Sequence, residues 1–235
     1  MLSVSGITGS HYSRLMYGSD KIISSRTVLL TGFGPFPGIP VNASAELVRV
    51  IAPVARRVFP AFPFIAAVLP TEWRRAPELV AALQDRFQPR LALHIGVATG
   101  AQNIRLETCA ENVCRDALDA AGLLPVAASL CADGPPKRRA NIDVGAIANV
   151  LRAHGTQCAI SDNAGGYLCN AVLYQSLARA EARGCGAVGF VHIPADLGLA
   201  GAITMDDALT AILAVIGTAL GGTDAMAGTP ATAQI

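Results

Sequence analysis

Ala187-Val188-Gly189-Phe190-Val191-His192-Ile193 carries one polar side chain and shows no alternation of polar and apolar positions. A strand with one wet face alternates with period two, so a strand that is apolar on both sides must be covered on both. Three more short runs share this character: TVLLT (27–31), FIAAVL (64–69) and LALHI (91–95). Helical patterns lie between and after them. Asn42 is suited to cap a helix running to about residue 52, with Leu47, Val50 and Ile51 on one face and Pro53 ending it. Pro77 suits the first turn of a second helix, whose face is Leu79, Leu83 and Phe87. Asp143 opens a third with Val144, Ile147, Ala148 and Leu151 on one side, stopped by Gly155. Residues 157–160 read as a short strand, and a helix follows over about 166–182, ended by Gly184. Thr204 and Asp207 form a capping-box-like start to a last helix with the face Leu209, Ile212, Leu213 and Ile216. Residues 102–109 look extended and 115–142 loop-like. Doubly apolar strands alternating with helices imply an α/β fold with a mainly parallel sheet covered on both faces.

Composition agrees with one well-buried domain. The 235 residues are 52% hydrophobic and 15% charged, with mean hydropathy +0.44. With 18 basic and 17 acidic residues the formal charge is +1, so neither nucleic acid nor an anionic membrane is an expected partner. The apolar stretch 208–220 is broken by Thr and Gly and is too short to span a bilayer. Residues 1–25 lack the continuous apolar core of a secretory signal and read as an N-terminal extension; 221–235, rich in Ala, Thr and Gly, read as a frayed tail. A cytoplasmic location is therefore expected, with the six cysteines (109, 114, 131, 158, 169, 185) as thiols. No CxxC pair occurs and Cys109 and Cys114 have no neighbouring His, so no metal is expected.

Ligands of such sheets gather at the carboxyl ends of strands, which makes reactive side chains just after strands the candidates. Cys169 follows the strand ending near residue 160. The Asn163-Ala164-Gly165-Gly166 turn then feeds a helix and puts Cys169 in about its first turn. There the free N–H groups and the helix dipole favour a thiolate and can receive an oxyanion. His192 ends its strand and faces the same cleft, and His94, ending LALHI, competes with it for the role of base. A Cys–His pair needs a third group to orient the imidazole. Glu107 leads because a carboxylate inside an apolar extended run is costly unless paired, with Glu111, Asp162, Asp196 and Glu72 as rivals. Phe33 and Phe36 flank the turn after the first strand and can form an apolar slot for a small ring.

Six blocks, in order, resemble those of the pyroglutamyl peptidase I family, also called pyrrolidone-carboxylate peptidases. TGFGPFPG (31–38) resembles TGFxPFGG, LPTEW (69–73) resembles LPVxF, and HIGVATG (94–100) resembles HxGQAGG. RLETCAEN (105–112) is similar to xxERxAxN, SDNAGGYLCN (161–170) to SxxAGxxxCN, and FVHIP (190–194) to FxHVP. The resemblance spans about 27–220 and implies a single hydrolase domain over 26–220. Its implied fold is a three-layer α/β/α sandwich around a mainly parallel, mixed sheet. It implies a cysteine peptidase that removes N-terminal pyroglutamate from peptides without a cofactor, in the cytosol, as a homodimer or homotetramer. It assigns nucleophile to Cys169, base to His192 and orienting acid to Glu107, with Phe33 and Phe36 holding the lactam ring. Val97 stands at the wall position of the family's Gln, and Asn42 and Asn170 are candidate polar contacts. Other departures are Thr99, Thr108, Leu118, Ala171 and Ala195, with Arg115 near the place where the family has an Arg. They alter the walls more than the triad, leaving open another small acyl or amide substrate, or a non-catalytic ligand-binding relative. A nucleoside-processing enzyme would need a P-loop or GxGxxG, and neither occurs.

Overall fold

The four runs without polar alternation all become strands of the main sheet, three of them inside it and 64–69 at one edge. The computed structural model describes residues 26–184, 186–198 and 203–221. Along the chain come β1 (Val28–Phe33), α1 (Ala43–Val58), β2 (Phe64–Leu69), α2 (Arg75–Phe87) and β3 (Leu91–Ala98). Then follow β4 (Ile104–Glu107), β5 (Cys109–Glu111), β6 (Lys137–Arg139), α3 (Val144–Ala153) and β7 (Cys158–Ser161). The series ends with α4 (Leu168–Arg183), β8 (Ala187–Pro194) and α5 (Met205–Ala219).

The main sheet has the order β2-β1-β3-β8-β4-β7. The first four strands are mutually parallel. β4 pairs antiparallel with β8, and β7 runs parallel to β4. Alternate side chains of the same strands build two cores. Val28, Leu30, Leu93 and Val191 pack with α1, α3 and α5, while Leu29, Ala92, Val188 and Phe190 pack with α2 and α4. This is the expected α/β/α sandwich with a mixed, mainly parallel sheet. The extension 1–25 lies outside the described residues, as does the tail beyond Gly221.

Where pattern and cap agreed, the elements match the expectation. In α3 the buried residues are Val144, Ile147, Ala148 and Leu151, and Asp143 accepts a capping bond from the Ala146 N–H at 2.8 Å. In α5 Thr204 and Asp207 close a capping box. The close approach of β1 to the start of α1 explains Gly32, where a Cβ would stand 2.4 Å from the Ser44 carbonyl oxygen.

Several local expectations are corrected. α1 does not stop at Pro53 but continues to Val58. Pro53 sits on the exposed side, where water can meet the carbonyl that loses its donor, while Ile51, Ala52 and Ala55 keep the inner side packed. Val50 is exposed and Val48 takes its place inside. The centre of α2's buried stripe is Ala76, Val80, Gln84 and Phe87, with Leu79 and Leu83 half-buried beside it. Gln84 can be buried because its Nε2 donates to Ser176 Oγ at 2.9 Å. Likewise Ala208, Ala211 and Val215 join Ile212 and Ile216 inside α5, and Leu209 and Leu213 fall to its flanks. β5 and β6 form a small antiparallel ribbon that reading 115–142 as loop did not include. β7 is antiparallel to β8, so its carboxyl end does not lie at the edge where β1, β3 and β8 end. Residues 162–167 carry the chain back to the cleft before α4 begins.

Candidate active site

Three separate stretches deliver a sulfur, an imidazole and a carboxylate to one cleft. Cys169 is the second residue of α4, behind Tyr167, which caps the helix without a side-chain bond. The first N–H groups of a helix have no intrahelical acceptor, and Cys169 belongs to that first turn. Gly96 lies opposite His192 in the β3–β8 pairing. A Cβ at Gly96 would stand 2.8 Å from Cys169 Sγ and 2.8 Å from Phe190 Cζ. The sulfur therefore rests directly on the β3 backbone, and a side chain at 96 would have to displace it or Phe190.

His192, 6% exposed, stands near the end of β8, and its ring lies 4.8 Å from that of Phe190. Glu107 ends β4, is 1% exposed, and pairs across the sheet with Phe190, two residues deeper than His192. Its carboxylate reaches up to the imidazole, where His192 Nδ1 donates to Glu107 Oε1 at 2.8 Å. That bond leaves Nε2 as the ring nitrogen available to Cys169, which lines the same cleft. Glu107 Oε2 is buried and has no partner among the described residues. The rival carboxylates are placed elsewhere. Glu111 pairs with Lys137 at 3.1 Å, Glu72 with Arg75 at 3.0 Å, and Asp162 and Asp196 are exposed.

Burial by itself would disfavour the His192 cation. The charge on Cys169 and its hydrogen bond, then the hydrogen bond and charge of Glu107, outweigh burial and push the pKa up to about 9. At neutral pH the ring is thus held as an imidazolium. His94 behaves in the opposite way. It is fully buried at the level of Phe190, and its ring nitrogens meet Thr31 Oγ1 at 2.7 Å and Ser176 Oγ at 2.8 Å. Burial lowers its pKa to about 3, so it stays neutral. It is a structural histidine beneath the site and not a competing base.

The cleft encloses about 370 Å³. Phe33, Phe36, Asn42 and Val97 all line it. Phe33 leans on Phe190 with ring centroids 6.2 Å apart, and Phe36 on Tyr167 at 5.9 Å. The Asn42 amide is already engaged, since Oδ1 accepts from Ser44 N–H and Oγ–H and Nδ2 donates to the Gly34 carbonyl. It shapes the turn under Phe33 more than it offers a free contact. Asn170 is fully buried outside the cleft lining. It bonds the Glu111 N–H and carbonyl and the Val113 carbonyl, tying β5 to the start of α4. Arg115 does line the cleft, its guanidinium 5.7 Å from the Tyr167 ring centre. Arg105, Thr71 and Tyr167 line it as well and were not anticipated. For Arg105 a signal existed: it stands two residues before Glu107 in a strand, and so shares its face.

Cys109, Cys114, Cys131, Cys158 and Cys169 are free thiols, and Cys185 lies outside the described residues. No group of three or more potential ligand side chains is placed to hold a metal ion among the described residues. Nor is any described helix long and apolar enough to cross a membrane.

Comparison with known proteins matches residues 26–212 to the pyroglutamyl peptidase family model. A pyrrolidone-carboxylate peptidase of Cupriavidus taiwanensis is 37% identical over 172 residues, covering 72% of this chain and 78% of that protein. One from Vibrio vulnificus is 36% identical over 170 residues with the same coverage. Among solved structures, the pyrrolidone carboxyl peptidase of Pyrococcus furiosus superposes with a TM-score of 0.77 at 25% identity, over 83% of this chain and 98% of that one. Pyroglutamyl peptidase I of Bacillus amyloliquefaciens gives 0.75 at 26% identity, over 83% and 96%.

Proposed function

The chain belongs to the pyroglutamyl peptidase family, and we propose that it is a cysteine exopeptidase that removes an N-terminal pyroglutamyl residue from peptides with Cys169, His192 and Glu107 as its machinery. The observation that carries this reading is the buried Glu107–His192 bond, aimed at a sulfur at a helix start and beside an aromatic slot.

Phe33, Phe36 and Val97 hold the flat lactam ring by shape, an apolar fit in which Val97 supplies contact and no hydrogen bond. The Cys169 thiolate attacks the acyl carbon and the carbonyl electrons move to oxygen. The N–H groups of the first turn of α4 receive that oxyanion, helped by the helix dipole. As the C–N bond breaks, His192 gives its Nε2 proton to the leaving amine, and a thioester remains. The neutral imidazole then takes a proton from water, the hydroxide equivalent attacks the thioester, and the sulfur leaves as thiolate. Glu107 fixes the ring with Nδ1 protonated and stabilises the imidazolium each time it forms.

The test is hydrolysis of a pyroglutamyl reporter amide by the wild type and by Cys169→Ala. The wild type turns over, and the variant loses all measurable turnover while keeping its circular dichroism spectrum and unfolding midpoint. Full activity in the folded variant excludes the mechanism, and a wild type that cleaves only other acyl amides excludes the substrate.

A further inference from the structure

The carboxyl edge of the sheet is polarised along the strand order. Phe33 ends β1, Val97 stands near the end of β3, His192 near the end of β8, and Arg105 on β4 comes next. All four line the cleft. With strands about 4.8 Å apart, the aromatic slot and the arginine lie on opposite sides of the sulfur and imidazole. The acyl ring fills the first side, so the leaving group extends over the second. Because β4 is antiparallel to β8, Arg105 pairs directly across from His192 and faces the same side of the sheet. Two residues on, Glu107 is buried below it, so the cation is at the rim and the acid at depth.

The Arg105 guanidinium makes no hydrogen bond, ion pair or ring contact among the described residues, although it is half-buried in the cleft. The other cleft arginine, Arg115, at least lies against a ring. A half-buried guanidinium with no partner of its own is a ready acceptor of an anion, and the leaving side of the cleft is where such an anion would arrive. A carboxylate on the first residue after the scissile bond has this position: an α-carboxylate lies two bonds from the leaving nitrogen, and an acidic side chain lies little further.

We propose that Arg105 is a specificity residue that binds a carboxylate of the leaving group, so that the preferred substrates are pyroglutamyl amino acids with a free α-carboxylate or peptides with an acidic residue after pyroglutamate. This rests on the peptidase reading above. Its basis is the unpaired guanidinium across from His192 on the side away from the aromatic slot.

The experiment compares kcat/KM within two substrate pairs for wild type, Arg105→Gln and Arg105→Lys. The first pair is pyroglutamyl-alanine and its amide; the second is pyroglutamyl-glutamic α-amide and pyroglutamyl-glutamine amide. The wild type prefers the charged member of at least one pair, and the pair concerned identifies which carboxylate is read. Arg105→Gln collapses that ratio by about 10- to 100-fold, the range of one charge-assisted hydrogen bond, chiefly through KM. Arg105→Lys restores part of it, and added salt erodes the wild-type preference but not the variant's residual ratio. Equal losses on charged and neutral members, or no wild-type preference in either pair, overturn the assignment while leaving the peptidase reading standing. A wild type that cleaves no pyroglutamyl substrate overturns both.

Discussion

Replacing Gly96 with Ala tests the placement of the sulfur without touching any group that takes part in the chemistry. The backbone at Gly96 is ordinary strand, so alanine is not excluded by its dihedral angles. The new methyl would stand 2.8 Å from Cys169 Sγ and 2.8 Å from Phe190 Cζ, 0.6 Å short of the 3.4 Å at which ordinary contact begins. One neighbour must move. Phe190 is fully buried, with the rings of Phe33, His94 and His192 around it, and has nowhere to go. Cys169, in the first turn of α4 and facing the cleft, yields instead. Lifting the sulfur by at least 0.6 Å lengthens its contact with His192 and misaligns the attack. A misplacement of about 1 Å costs on the order of 100-fold, so kcat/KM should fall by about 10- to 100-fold. Stability changes less, because overpacking of about 1–3 kcal/mol is partly offset by about 0.4–1 kcal/mol from the stiffer unfolded chain. The assay is kcat/KM on a pyroglutamyl reporter together with the urea midpoint and the rate of Cys169 alkylation by iodoacetamide. A variant within about threefold of wild type on the reporter would refute the argument that the strand backbone seats the nucleophile.

Two pH effects follow from the two histidines and have opposite signs. His192, raised to about 9, stays protonated up to that pH, so the ion pair and the activity should be lost as pH climbs through about 9. Glu107→Gln should move this alkaline limb down by about 1–3 units and lower the plateau, as read from kcat/KM profiles; an unmoved limb would show that the carboxylate does not hold the proton. The same shift makes His192 contribute stability that is present below its unfolded pKa of 6.5 and lost as pH rises through about 9. His94 is depressed to about 3, so the unfolded chain binds a proton that the fold refuses between 6.5 and about 3. Its contribution is present above 6.5 and fades on acidification, by about 2–3 kcal/mol at pH 4.5. Urea titrations at pH 7 and pH 4.5 should show that loss in wild type and a smaller one in His94→Gln, and equal losses would contradict the buried neutral ring.

How far the sequence could be read depended on whether the determinant was local. The stripe, cap and stop of α3 all lie between Asp143 and Gly155 and were legible. The end of α1 was not, because whether Pro53 breaks the helix depends on which way its ring faces, and that is set by packing of Ile51 and Ala55 against the sheet. The two strand-end histidines look alike along the chain. Register separates them: His192 stands across from Gly96, whose missing side chain makes room for the sulfur, whereas His94 stands across from Thr31 and Phe190, inside the core. Glu107 was singled out among the carboxylates by the cost of an unpaired charge in an apolar run, and it is the carboxylate that bonds His192. Arg105 was missed because a half-exposed arginine in a strand is unremarkable until its neighbour across the sheet is known.

The reversal of strand direction between β8 and β4 has a consequence for how this protein can change over time. It sorts the groups on the β4 side of the cleft into two tiers, with Glu107 sealed at depth under His192 and Arg105 on top. Substitutions in the upper tier can retune which peptides are chosen while bond cleavage below goes undisturbed. A chain built this way can drift toward new substrates one rim residue at a time.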